Sequence, residues 1–257
     1  MNQFTNKPSD NNSKSVFITG ASSGLGRQMA IEFARRGYQL ALSARRLDVL
    51  QALRLSLQQA GAGQVHIAEL DVRDAAEVVR VFGEACTALG RIDIVVANAG
   101  IGNHGRIGQL PFERVRDTVD TNVIGLMATV DAAMRYFRVQ GRGHLVGISS
   151  VAAFRGLPGG GVYGASKAAV TNYLEALRAE VRGSAILVTT LSPGFIDTPI
   201  NQAAKSRPFV IPVERGGRLL VDLIERRVQT ATVPAWPWAL VARLLPVLPA
   251  AILARIR

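Results

Sequence analysis

Tyr163 and Lys167 stand four residues apart in Tyr163-Gly-Ala-Ser-Lys167. On a helix that spacing puts both side chains on one face, where an ammonium favours the ionised form of a neighbouring phenol. A tyrosine titrates near ~10, so it needs such a charge if it is to give and take protons near neutral pH. Upstream lies Ser149-Ser150. Neighbours on a strand point to opposite faces, so only one of these hydroxyls can enter a site with the phenol. Near the start, Thr19-Gly20-Ala21-Ser22-Ser23-Gly24-Leu25-Gly26 joins an apolar strand to a helical stretch. Glycines let a backbone turn tightly, and a helix N-terminus offers amide donors to a phosphate. The spacing is Gly-x3-Gly-x-Gly rather than Gly-x-Gly-x-x-Gly, and a glycine turn alone serves sterics as readily as phosphate binding.

Such groups work only if a scaffold brings them together. Short apolar runs, most of them with β-branched residues, at 15–19, 39–44, 65–69, 92–97, 144–149 and 187–192 alternate with helical stretches at 26–36, 48–60, 75–89, 112–139 and 163–181. That alternation predicts βαβ units and an α/β fold built on a doubly wound parallel sheet flanked by helices. With 257 residues, 48% of them hydrophobic, the chain suits one large domain over 15–232, with a flexible polar tail at 1–14 and an apolar appendage at 233–257. The tail has no apolar core resembling a secretory signal, and the single cysteine, Cys86, fits a reducing compartment. The reading is a cytoplasmic protein. His66, His104 and His144 show no metal-binding spacing. Only four of the 30 basic residues are lysines, and the arginines are scattered rather than gathered into a stripe. The net charge of +11 therefore reads as a solvated surface, not as a nucleic-acid interface.

The glycine turn, Val96-Ala97-Asn98-Ala99-Gly100, Asp120-Thr121-Asn122-Val123, Ser149-Ser150, Tyr163-x3-Lys167 and Ser192-Pro193-Gly194 come in one order and register over approximately 15–230. In these motifs the chain resembles the classical short-chain dehydrogenase/reductase family. The resemblance implies a one-piece Rossmann-type domain, a nicotinamide cofactor, hydride transfer between an alcohol and a carbonyl, and a homodimer or homotetramer. It implies Tyr163 as general acid/base, with Lys167 lowering its pKa and holding the nicotinamide ribose. Ser150 would hydrogen-bond the substrate oxygen, leaving Ser149 as a structural neighbour, and Asn122 would hold a water that links the lysine to solvent. Gly20, Ser22, Ser23, Gly24, Leu25 and Gly26 would cradle the pyrophosphate. Asp71 and Val72 would meet the adenine, and Asn98, Ala99 and Gly100 would close the cofactor floor. Pro193, Gly194, Ile196 and Thr198 would face the nicotinamide, and 199–212 would form a substrate lid.

Cofactor choice is written where the second strand ends, at Ala44-Arg45-Arg46. A carboxylate there would suit the free ribose hydroxyls of NAD, whereas arginine suits the 2′-phosphate of NADP. The expectation is NADP(H), with Arg45 as the phosphate contact and Arg46 assisting. Phe154, Leu157, Val162, Phe195 and Phe209 point to an apolar pocket for an apolar carbonyl or alcohol, though as core residues they would look the same. Over 233–254 the chain reads VPAWPWALVARLLPVLPAAILA, long enough to span a bilayer but broken by four prolines and Arg243. It would pack over the substrate mouth or a partner subunit, or lie in the interface of a membrane's inner face with Trp236, Trp238, Arg255 and Arg257 as anchors. The rival functions are an NAD-preferring dehydrogenase and a non-catalytic nucleotide-binding scaffold at a membrane surface.

Overall fold

Val16, Ile18, Leu40, Leu42, Ile94 and Val96 turn one way, while the intervening Phe17, Ala41 and Val95 turn the other. That alternation defines strands buried on both faces, as a parallel sheet covered by two layers of helix requires. The computed structural model describes residues 13–202 and 206–254. Its strands are β1 (Ser15–Thr19), β2 (Gln39–Ala44), β3 (Val65–Glu69), β4 (Ile94–Ala97), β5 (Gly143–Ile148), β6 (Ile186–Pro193) and β7 (Thr230–Val233). All neighbours are parallel, in the order β3-β2-β1-β4-β5-β6-β7. The chain returns to the middle of the sheet between β1 and β4, and at such a switch point the strands' carboxyl ends open into a cleft.

Helices α1 (Gly24–Arg35), α2 (Leu47–Gln59) and α8 (Val213–Glu225) cover one face, around Met29, Phe33, Leu50 and Leu220. Helices α3 (Ala75–Leu89), α5 (Gly125–Gln140) and α6 (Gly161–Glu180) cover the other, around Phe82, Phe137, Val170 and Leu174. The stretch read as one helix over 112–139 is three pieces: α4 (Phe112–Val119), a π-helical turn at Asp120–Ile124, and α5. Short helical segments α7 (Pro199–Gln202), α9 (Trp238–Leu244) and α10 (Ala250–Leu253) lie outside these layers, as do 3-10 turns at Val151–Ala153 and Leu245–Val247. The expected boundary at 233 runs through β7, whose Val233 pairs with Pro193, so the sheet extends into the appendage. Residues 1–12 of the expected tail, 203–205 of the expected lid, and Arg255 and Arg257 lie outside the described residues.

Candidate active site

The cleft at the switch point is built first from the ends of β1 and β4. Thr19 Oγ1 accepts hydrogen bonds from Asn98 N at 3.1 Å and Ala99 N at 3.2 Å, and Asn98 Nδ2 donates to Thr19 O at 2.9 Å. These bonds lock the two strand ends together. Gly20 follows at φ +69°, where a Cβ would also stand 2.8 Å from Ala99 Cα. Any other residue would strain the backbone and push the two loops apart. The turn delivers the chain to α1, whose N-cap Ser23 makes no side-chain cap. The first amides of α1 are thus left without a side-chain acceptor at the cleft's edge, the arrangement that suits a pyrophosphate.

A cavity of about 600 Å³ runs along these carboxyl ends. At one end it is walled by Arg45, Arg46, Asp71 and Val72, in the middle by Gly20, Ser22, Ser23, Gly24, Leu25, Asn98, Ala99 and Gly100, and at the other by Ser150, Tyr163, Lys167, Pro193, Gly194, Ile196 and Thr198. Of the site residues expected from sequence, Gly26 and Asn122 stand behind this wall. The glycines, the open helix end and the arginines fit a nicotinamide dinucleotide along its length.

Asn122 is in the π-helical turn, a device that widens a helix and re-aims its side chains. Its Oδ1 accepts from Ile101 N at 2.8 Å, and its Nδ2 donates to Ile101 O at 2.9 Å and Ser166 Oγ at 3.0 Å. The amide therefore ties the loop after β4 to α6. Lys167 Nζ, buried, donates to Ile148 O at 2.8 Å and sits 5.9 Å from the centre of the Tyr163 ring. Burial lowers its pKa to about 8. Tyr163 does not show the depressed pKa read from the spacing. Desolvation raises the phenol above its usual value, and a hydrogen bond with Ser150 only partly offsets the shift.

The two serines separate as strand geometry requires. Ser149 Oγ donates to Lys167 O at 3.0 Å and shares a 2.7 Å hydrogen bond with Thr171, so it staples β5 to α6. Ser150 Oγ faces the cavity, donating to Pro193 O at 3.4 Å and accepting from Ala152 N at 3.2 Å. Arg46 Nη2 donates to Ser22 Oγ at 3.0 Å, which fixes the second of the two arginines, rather than the first, to the glycine turn. Asp71 is gripped by Arg73 at 2.6 Å, and that guanidinium holds its carboxyl below the usual carboxylate range. Thr198 Oγ1 donates to Ile196 O at 3.2 Å.

Phe195 and Phe209 pack against Trp238, with ring centres at 5.9 and 6.1 Å, rather than lining the cavity. Trp238 belongs to the appendage and lies directly on Gly194, where any Cβ would run into the indole. Two neighbours escaped the sequence reading. His104 sets its ring 5.4 Å from that of Tyr163, and Asn201 holds the Ile196 carbonyl at 2.9 Å. A lone histidine in the loop after β4 gives no periodic or spacing signal. Trp238 carried a signal of composition, but nothing that tied it to Gly194.

The model of a family described as short chain dehydrogenase matches residues 14–208. An uncharacterized oxidoreductase of Mycobacterium tuberculosis is 42% identical over 236 residues, covering 91% of this chain and 93% of its own. Among solved structures, an alcohol dehydrogenase of Thermococcus sibiricus complexed with 5-hydroxy-NADP superposes with a TM-score of 0.77 at 29% identity, over 86% of this chain and 96% of its own. A short chain dehydrogenase/reductase of Burkholderia phymatum in complex with NAD superposes at 0.82 and 26% identity, over 95% of this chain and 94% of its own. With the switch-point cleft and the seven-stranded sheet, these matches make the chain an oxidoreductase of the short-chain dehydrogenase/reductase family.

Proposed function

We propose that the protein transfers hydride between NADP(H) and the carbonyl or secondary alcohol of an apolar small molecule, with Tyr163 as the general acid/base. The observation that carries this reading is the convergence of Ser150, Tyr163 and Lys167 at the end of the cavity opposite the arginines. When bound, the nicotinamide supplies or accepts the hydride. As charge grows on a carbonyl oxygen, the Ser150 and Tyr163 hydroxyls are the preset donors that stabilise it, and Tyr163 then gives up its proton. The Lys167 ammonium, already anchored on Ile148 O, has further protons to offer ribose hydroxyls and the phenolate left behind. Asn122, by clamping Ile101, keeps the loop after β4 in place beneath them.

The preference for NADP(H) rests on Arg45 and Arg46 at the end of β2, where no carboxylate stands to receive ribose hydroxyls. Asp71, across the cleft, is already paired with Arg73. The two solved relatives carry one cofactor of each kind, so the arginines and not the relatives favour the phosphate.

The test is cofactor oxidation with NADPH and NADH over a panel of ketones, aldehydes, quinones and steroids. Tyr163→Phe should lower turnover by at least ~10²-fold while NADPH binding stays within a factor of about two. Arg45→Asp with Arg46→Asp should weaken NADPH at least ~10-fold and leave NADH nearly unchanged, as loss of charge-assisted bonds to one phosphate requires. Full turnover by Tyr163→Phe would defeat the mechanism, and unaltered discrimination in the double variant would move the cofactor preference elsewhere.

A further inference from the structure

The appendage has two faces. Trp238, Leu245 and Leu253 are buried, and Trp238 seats on Gly194 and against Phe195, which fixes the segment to the rim of the catalytic cavity. The opposite face is apolar and open. Trp236 is 74% exposed, Leu240 44%, Leu244 51%, Val247 75% and Ile252 48%, and Phe209, 60% exposed and in contact with Trp238, carries the same surface toward the mouth. Leu240 and Leu244 lie one helical turn apart on α9, with Val247 close to the following turn, so the exposed side chains form a stripe. A soluble protein rarely leaves such a patch unpartnered.

Charge selects among the occupants. Beyond Glu225 the chain contains no Asp or Glu, and Arg243 stands exposed on α9 among these leucines. A two-fold contact with a second copy would press this patch on itself, setting apolar surface and Arg243 against the same groups with no carboxylate to pair. An anionic headgroup layer supplies both an apolar bed and the counter-charge, and the net charge of +11 adds long-range attraction. No helix among the described residues is long and apolar enough to cross a membrane, so the segment would lie in the interface rather than span it.

We propose that this outward face docks on an anionic phospholipid surface, with Trp236, Leu240, Leu244 and Val247 entering the headgroup boundary and Arg243 engaging lipid phosphate. Docking there holds the mouth of the cavity beside the bilayer, the reservoir from which apolar compounds partition. The inference stands on the appendage alone and does not depend on which cofactor binds.

The full-length protein is sedimented with vesicles of phosphatidylcholine alone and with phosphatidylglycerol added, at low and high salt, while tryptophan emission is followed. The expected result is at least ~10-fold stronger partitioning onto the anionic vesicles at low salt, loss of that gain at high salt, and a blue shift abolished by Trp236→Gln. Leu240→Glu with Leu244→Glu should cut binding ~10-fold at an unchanged melting temperature, since both side chains are exposed. Equal partitioning of the double variant and its parent would overturn the proposal. A dimer that the same variant dissociates in the absence of lipid would overturn it too, by assigning the face to a second copy.

Discussion

At Tyr163 two effects oppose each other, and under the proposed mechanism their balance sets which protonation form the free protein offers a substrate. Desolvation raises the phenol's pKa, and a hydrogen bond with Ser150 pulls it back only in part. The group therefore keeps its proton through neutral pH, which is the form that reduction of a carbonyl consumes. Oxidation of an alcohol needs the phenolate instead. The kcat/KM for reduction should be flat between about pH 6 and 8, whereas that for oxidation should climb with pH over the same interval by up to ~10-fold per unit. Steady-state profiles in both directions check this, and an oxidation rate that does not rise would show that some other group takes the proton. Ser150→Ala removes the one hydrogen bond that favours the phenolate, so the oxidation profile should move further toward alkaline pH. Lys167 reaches the phenol less directly than a bare i, i+4 spacing implies, because its ammonium is committed to Ile148 O and loses its proton near pH 8.

Elements were readable from sequence where local pattern and tertiary demand agree, and unreadable where packing overrules propensity. The six strands β1 to β6 fall within two residues of their expected bounds, because each is a short apolar run between turn formers, and all but β2 carry β-branched residues. Helix α8 has only a weak signal in the sequence, because it carries Gly216-Gly217 in its first half, where glycine disfavours a helix. The reason for Gly217 is close approach. A Cβ on Gly217 would run into the Gln28 side chain on α1, so glycine is what lets the two helices meet. Gly83, on α3, faces open space and has no such excuse. Gly217→Ala should therefore destabilise the fold by about 1–3 kcal/mol through overpacking, whereas Gly83→Ala should stabilise it by about 0.5–1 kcal/mol through helix propensity alone. Denaturant unfolding of the two variants gives opposite signs if packing governs at 217. The π-helical turn was hidden for a related reason. Asp120-Thr121-Asn122 carries no marker that distinguishes a widened turn from an ordinary helix, and only the demand that Asn122 clasp Ile101 reveals it. β7 is four residues long and half exposed along its first three, too short to show a period.

Across the whole molecule, the site belongs to no single element. The cavity takes its walls from segments that follow β1, β2, β3, β4, β5 and β6, and from α6, so a ligand lying along it would hold together both halves of the sheet on either side of the switch point. The motifs that line the cavity were legible as short local runs, and the sheet order fixes where those runs meet. How the appendage closes on them was not, because the contact of Trp238 with Gly194 joins residues 44 positions apart with no periodic link. A ligand that binds only the assembled cleft must stabilise the entire fold by mass action, and NADPH at 100 times its dissociation constant should add about 2.7 kcal/mol. That gain should shift the midpoint of denaturant unfolding upward with no change in slope, since the surface exposed on unfolding is the same. Within the reading proposed here NADH at equal concentration should shift it less, and the Arg45→Asp, Arg46→Asp protein should bring the two shifts together. A second unfolding transition, moved by NADPH while the first stays fixed, would mean that the cleft unites only part of the sheet and that the remainder folds without it.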